Sequence, residues 1–283
     1  MYISYNFPNE KNPEGIGACY HKIITFYCIA KKNNLKYIHI PTNIGHNYNN
    51  DIEWNNKWDN FFNFKKICYN NEIDINNIEK EFKTENLNIV NNNNNFNKLY
   101  LYPYKYYFEF DLNPDYYFKD IQNDIIEAYN ENNNKRKLIY NKNKINIAIH
   151  IRVHNDFDNE GEYELFLEGK NIRYYFNCEM YENLIKKLKE KYKNSDIHIF
   201  SQEKYFDLKY KKLREIENIN IHFDNLDIFD TFHHLCNADV LVIGLSSFSF
   251  IAAFYNKNRV IYLPYITSPT LKSWIVYKDE LEL

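Results

Sequence analysis

Glycine and proline are scarce in this chain, at six and seven among 283 residues, well under ordinary usage. Each glycine that remains therefore needs a reason. Cysteine is also sparse: Cys19, Cys28, Cys68, Cys178 and Cys236 are odd in number and form no CxxC pair. Neither a disulfide framework nor a zinc knuckle is indicated, and a reducing compartment fits. No long apolar run is present, since the most apolar stretch, Ala238 to Tyr255, is interrupted by Asp239 and several serines. The opening MYISYNFPNE lacks a basic region followed by an apolar one. A cytoplasmic protein without a membrane span is expected. Charge of one sign is missing too: 35 basic residues against 38 acidic ones give a net charge of -3. That balance removes the electrostatic signature of a nucleic-acid binder and favours a small-molecule partner. Arginine is the last scarcity, with five against 30 lysines, so an arginine marks a place where a planar, bidentate fork is wanted.

What is present is a run of strand and helix patterns. Residues 1–7 alternate as a short strand, and the Gly15-Ile16-Gly17 turn leads into apolar positions at helical spacing over Ala18–Lys32. Leu35–Ile40 reads as a strand. From Asn43 to Asn97 the chain is aromatic and polar, holding Trp54, Trp58 and a phenylalanine cluster, and ends in a solvated asparagine tract. Asp115–Asn130 reads as a helix, and the polar stretch Asn130–Lys144 as the linker between two lobes, 1–142 and 143–283. In the second lobe KINIAIHIRV (Lys144–Val153), DIHIFS (Asp196–Ser201), Ile219–Phe223, Asp239–Gly244 and Val260–Leu263 are strands. Helices over Tyr174–Tyr192, Tyr205–Ile216, Asp227–Cys236 and Ser249–Tyr255 separate them. Apolar strands alternating with helices specify an α/β fold with a parallel, doubly wound sheet.

Three groups of residues can carry chemistry. His150, Arg152, His154 and Asp156 close the first strand of the second lobe, where open α/β sheets bind ligands, and Arg152 suits a bidentate contact to a diphosphate. Taken alone, His150 and Arg152 are equally well read as a buried strand residue and a structural ion-pair partner. The turn Gly244-Leu245-Ser246-Ser247-Phe248-Ser249 leaves a strand and opens a helix, offering amides and hydroxyls to an anion; its plain alternative is helix capping, with Phe248 in the core. Gly15-Ile16-Gly17, with His21 on the following helix, lacks the third glycine and the acid of a dinucleotide site, so NAD is not indicated.

In this order the motifs GIGACYHKIITFYCIA, IHIRVHND, HIFSQEKYFD and DTFHHLCNADVLVIGLSSFSFIAA resemble the fucosyltransferase superfamily, in particular core α1,6-fucosyltransferases and rhizobial chitooligosaccharide fucosyltransferases. The resemblance covers most of 145–265 and a patch near the N-terminus. It implies a GT-B-like α/β fold of two Rossmann-like lobes with parallel sheets. The N-terminal lobe would serve the acceptor and the C-terminal lobe the nucleotide sugar. The implied reaction is inverting, metal-independent fucosyl transfer from GDP-fucose to a glycan hydroxyl in glycan biosynthesis, with no cofactor beyond the donor substrate. On that resemblance Arg152 grips the diphosphate, His150 accompanies it, Asp230 reads the guanine, and Ser246 and Ser247 touch the phosphates. Phe248 of the same turn, with Gly17 and His21 of the first motif, completes the expected donor-binding set. An inverting transfer needs a base for the acceptor hydroxyl; by analogy with the core α1,6 enzymes Glu160 is the first candidate and Asp156 the second. Asp156-Phe157-Asp158 also spells a DxD metal pattern, but its place after an arginine strand end argues for no metal. Val153 and Asn155 stand where the family carries a second arginine and an aspartate. That departure leaves two alternatives, a GT-B enzyme for another GDP- or UDP-sugar and a non-catalytic sugar-nucleotide or carbohydrate-binding protein of the same fold.

Overall fold

The structure, a computed structural model, describes residues 2–5, 15–41, 52–82, 98–102, 113–153, 177–223, 226–244, 246–263 and 270–277. Two compact units divide it, Met1–Lys135 and Arg136–Leu283. Each has its own parallel sheet, as the α/β reading requires. Among the described residues no helix is long and apolar enough to cross a membrane.

In the first unit β1 (Tyr2–Tyr5), β2 (Lys36–Tyr37), β3 (Glu79–Phe82) and β4 (Lys98–Tyr102) pair in the order β2-β1-β4-β3, all parallel. Helix α1 (Ile16–Lys32) connects β1 to β2 and is buried on nearly every side up to Ala30. The Gly15-Ile16-Gly17 segment is the start of this helix: Gly15 is its extended N-cap and Gly17 lies inside it. The helix stops where the Asn33 side chain bonds the Ile29 carbonyl and Asn34 adopts φ 54°, a left-handed conformation that asparagine tolerates. Sequence pattern alone does not reveal β3, whose Glu79 and Glu81 pair with Lys98 of β4 along an edge. A charged edge strand is protected against further pairing and therefore lacks the apolar alternation by which strands are recognised.

Helices α2 (Ile52–Phe62), α3 (Pro114–Phe118) and α4 (Gln122–Asn133) complete this unit. The helical pattern read over Asp115–Asn130 is thus two helices separated by a turn at Lys119–Ile121. Trp58, on α2, is fully buried against Phe61 and Phe62, and Phe61 meets Tyr129 edge-on. These aromatics are core, and only Trp54 beside them is partly open. Asp59 brings a carboxylate into this core. Its Oδ1 accepts from the Tyr20 hydroxyl at 2.8 Å and bonds His39 Nε2 at 3.1 Å, with all three residues buried.

The second unit is a six-stranded sheet in the order β10-β9-β8-β5-β6-β7, every neighbour parallel. Its strands are β5 (Ile145–His150), β6 (Ser195–Phe200), β7 (Ile219–His222), β8 (Val240–Ile243), β9 (Arg259–Tyr262) and β10 (Ile275–Val276). Five of the six lie within a residue or a few of the strands expected from the sequence; β10, two residues long, carries no periodic signal.

Helices α5 (Cys178–Lys191) and α6 (Glu203–Tyr210) cover one face. Asn177 caps α5 by accepting the Met180 N–H at 2.9 Å, worth about 1 kcal/mol. Tyr181, Leu184, Ile185 and Leu188 then recur at helical spacing and pack on Ile147, Ile149, Ile197, Ile199, Val240 and Val242. Helices α7 (Ile228–Asn237) and α8 (Ser247–Tyr255) pack together, with Phe232 of α7 edge-on to Phe248 and Tyr255 of α8. Residues 146, 148 and 150 of β5 point away from the first face, because strand side chains alternate.

The polar stretch that reads as a linker is part of this unit from residue 136 onward. Ile139 N–H bonds His234 Nε2, the Tyr140 hydroxyl bonds the His234 carbonyl at 2.7 Å, and Asn141 N–H bonds Asn146 Oδ1. These contacts tie residues 136–141 along α7 as a strap.

Replacing Asp59 with alanine should leave buried Tyr20 and His39 groups without their shared acceptor, at about 2–4 kcal/mol. The measurement is a urea denaturation midpoint, against which an exposed control such as Glu53→Ala should be near neutral.

Candidate functional site

The strand order fixes where a ligand goes. Counted within the second unit it is 3-2-1-4-5-6: from β5 the chain winds outward to β6 and β7, then returns past β5 to build β8, β9 and β10 on the other side. In open parallel sheets of this order the connections leaving the first and fourth strands, here β5 and β8, part at the carboxyl ends and make a ligand crevice at the switch point. His150 and Arg152 stand on one side of it and the Gly244–Ser247 turn on the other.

The opposite ends of these two strands are stitched by side chains. Asp239 Oδ2 accepts from the Asn146 backbone N–H at 2.8 Å and its side-chain amide at 3.2 Å. Asn256 donates to the carbonyls of Leu235 and Ala238, and Asn258 to that of Ala238. The aspartate of the Ala238-Asp239 motif thus holds β5 against β8 from the end away from the crevice.

His150 ends β5 with its ring 5.7 Å from that of Phe248, and its Nδ1 is buried without a hydrogen-bond partner. Burial first, and the charge of Arg152 second, push its pKa down to about 3. His150 is accordingly a neutral imidazole at physiological pH, with one ring nitrogen unused. Val153, two residues beyond His150's neighbour Ile151, is 1% exposed, so this strand end presents a single guanidinium.

Across the crevice Ser246 is the N-cap of α8 in position, yet its hydroxyl makes no capping bond; the Ser249 hydroxyl donates to the Ser246 carbonyl instead, at 3.2 Å. The simple capping role does not account for Ser246, and the positive end of α8 lies at the switch point with the hydroxyl-bearing Ser246 and Ser247 at its start. A side chain at Gly244 would meet Tyr181 Oη at 3.4 Å and Leu263 Cδ1 at 3.6 Å, so little more than a methyl group fits where the turn leaves the sheet.

Asp230 lies in the first turn of α7, at the same edge of the sheet. Its N–H is capped by Asp227 at 2.7 Å and its Oδ1 is bound by Arg136 Nη1 at 2.5 Å. Arg136 was invisible to sequence reasoning because it sits in a polar, lysine-rich stretch; arginine scarcity was the one available signal. His150, Arg152, Ser246, Ser247, Phe248 and Asp230 thus belong to one unit and the same edge of its sheet, with Phe232 bridging the Asp230 helix to Phe248. Gly17 and His21 belong to the other unit, both buried in α1, with His21 pushed to a pKa of about 3 by burial and then by Lys22. Glu160, Asp156, His154 and Asp158 lie outside the described residues.

No family model matches the chain, and no curated protein matches it in sequence. Among solved structures it is similar to POFUT1 in complex with GDP-fucose, at 12% identity and a TM-score of 0.31 over 98% of this chain and 74% of that one. POFUT1 in complex with GDP gives 11% and 0.31 over 93% and 74%, and its apo form 12% and 0.30 over 91% and 71%.

A histidine cluster on the strap side of the sheet is a further feature that sequence did not show. His198 Nδ1 and His222 Nε2 are 3.0 Å apart, with the rings tilted by 13° and their centroids 5.3 Å apart. That separation is the N···N distance plus a ring radius on either side, so the rings meet edge to edge across a single shared proton. Tyr140 packs edge-on to His198 and His234, and Phe200 stacks on His222. Among the described residues no group of three or more His, Cys, Asp or Glu is placed to hold a metal ion.

Burial, then neighbouring histidines, lower the pKa values of His198 and His222 to about 4. The folded state therefore refuses protons that the unfolded chain accepts near 6.5, and stability falls as pH drops from about 6.5 towards 4. His222→Gln should lose less stability than the parent between pH 7.5 and 5.0, measured by urea midpoints at the two values.

Proposed function

We propose that the chain is a glycosyltransferase that moves a fucosyl group from GDP-fucose to a glycan hydroxyl with inversion. The observation that carries this reading is the pairing, across the switch point, of a strand-end arginine beside a neutral histidine with the uncapped N-terminus of α8. Such a crevice suits a leaving diphosphate: Arg152 supplies a bidentate cation, α8 its positive end, and Ser246 and Ser247 their hydroxyls. A dinucleotide would place its pyrophosphate on the first βα turn through a glycine fingerprint, and the 153–177 sequence has none.

In the proposed reaction the acceptor oxygen attacks the anomeric carbon, the bond from that carbon to the β-phosphate oxygen breaks, and the acceptor proton passes to a carboxylate. Glu160, with Asp156 as second candidate, is assigned that base role from the resemblance. Charge building on the departing diphosphate is met by groups already in place, so no metal is invoked. Neutral His150 offers its unused nitrogen as a hydrogen-bond partner to donor oxygens without adding charge. Asp230 is assigned to the base of the nucleotide and the first unit to the acceptor.

A second reading, another GDP- or UDP-sugar, is favoured by one observation: Val153 is core, so a second arginine is missing from the strand end. Thermal shift with GDP, GDP-fucose, UDP, UDP-sugars and CMP, each with and without magnesium or manganese, separates the two. A ligand at a hundred times its Kd adds about 2.7 kcal/mol. Metal-independent stabilisation by GDP and GDP-fucose, abolished in Arg152→Ala, is expected. Metal-dependent stabilisation by UDP alone would overturn the fucosyl assignment, and nucleotide binding without transfer of the sugar to any glycan and release of GDP would mark a binding protein.

A further inference from the structure

The bonds of the strap at residues 136–141 converge on one functional candidate. Arg136 Nη1 holds Asp230 Oδ1 at 2.5 Å. Three residues on, Ile139 N–H donates to His234 Nε2, which fixes the tautomer so that Nδ1 carries the proton and donates to the Asp230 carbonyl at 2.6 Å. With Asp227 accepting the Asp230 N–H, residue 230 is held at its amide, its carbonyl and one carboxylate oxygen. The other oxygen, Oδ2, accepts no hydrogen bond from the described residues, and the side chain is 38% exposed.

An ion pair this open adds little to folding, typically under about 1 kcal/mol. Its other effect is geometric. A free aspartate samples rotations about its carboxylate axis, whereas a guanidinium N–H on Oδ1 narrows those rotations and so biases the direction of the Oδ2 lone pairs. A pre-oriented acceptor loses less freedom on binding an N–H donor.

We propose that Arg136 is a positioning residue for nucleobase recognition, aiming Asp230 Oδ2 at the N–H edge of a purine such as guanine. The inference rests on the reading that Asp230 meets the base. It makes the entry strap of the second unit part of the donor site, and it gives an arginine rather than a lysine a reason to stand there, since the N–H donors of a rigid planar guanidinium hold a narrower set of directions than a rotating ammonium.

The test is calorimetric titration of the full chain with GDP and, separately, with inorganic diphosphate, for the parent, Asp230→Asn, Arg136→Gln, Arg136→Lys and the Asp230→Asn/Arg136→Gln pair. Each Asn or Gln single variant should weaken GDP about tenfold, equal to about 1.4 kcal/mol, and leave diphosphate binding unchanged. The double variant should be no weaker than Asp230→Asn, because Arg136 acts through that carboxylate, and Arg136→Lys should recover part of the loss. Unchanged GDP affinity in Asp230→Asn would remove the base reading and the inference with it. Loss in Asp230→Asn with none in Arg136→Gln, additive losses in the double variant, or tighter GDP binding by Arg136→Gln would overturn the role of Arg136 alone. Circular dichroism checks folding, and should Arg136→Gln not fold, Arg136→Lys decides: affinity equal to the parent's counts against the inference.

Discussion

The second unit is organised by the side-by-side pairing of β5 and β8, the first and fourth strands of its sheet. Parallel neighbours that are distant in sequence need a long return path, and here that path runs out through β6 and β7 and back along α7. Asp239 and Asn146 lock the pair at one end with three hydrogen bonds, two to the Asp239 carboxylate and one from the Asp239 N–H to the Asn146 carbonyl. At the other end lies the switch point, where open sheets of this order send the two connections in opposite directions. The crevice is a topological consequence of which strands touch, and His150, Arg152 and the α8 turn face it because they are the residues that follow those strands.

The charge pattern follows from that geometry. A histidine at a buried strand end next to an arginine cannot afford its own proton, so the site holds one permanent cation and one neutral ring instead of two cations. The α8 terminus adds partial positive charge without a titratable group. The resulting field is fixed across physiological pH, which suits a leaving group whose charge grows during reaction.

Much of this was legible in the sequence because the second unit is built from runs that read one way: INIAIH and DIHIF place isoleucine at every second position, and VLVI is apolar on both faces, as central parallel strands are. Asn177 and Asp227 sit where helix caps belong, and the Gly244–Ser249 turn joins a strand to a helix in order. What escaped depends on long-range pairing. Asp239 reads as part of a motif, yet its role appears only when Asn146, 93 residues earlier, is brought beside it. The charged strand β3 and the two-residue β10 lack periodic signal, and a His–His bond between adjacent strands needs the register of β6 on β7. Arg136 escaped because the asparagine and lysine around it resemble a tether, while its partner lies 94 residues away.

The two faces of the sheet serve different ends. One is an aliphatic core of isoleucines, valines and leucines under α5 and α6, with Tyr181, Phe206 and Tyr210 at its margin. The other carries Asn146, His150, His198, Phe200 and His222 under α7, α8 and the strap. Burying so many polar groups costs stability unless each is bonded, and the strap meets part of that need with Tyr140, Ile139 and Asn141. A polar layer also transmits position more sharply than an aliphatic one, since a hydrogen bond fails within a few tenths of an ångström whereas a methyl contact relaxes. From Arg136 and Ile139 through His234 to Asp230, and from Phe232 through Phe248 to His150, this layer ties the proposed base contact to the proposed diphosphate contact within one face of the sheet. The strap is thus anchored by the Asp230 and His234 side chains of α7 rather than left as a linker, and on the proposed reading this holds constant the distance between the two contacts to the donor.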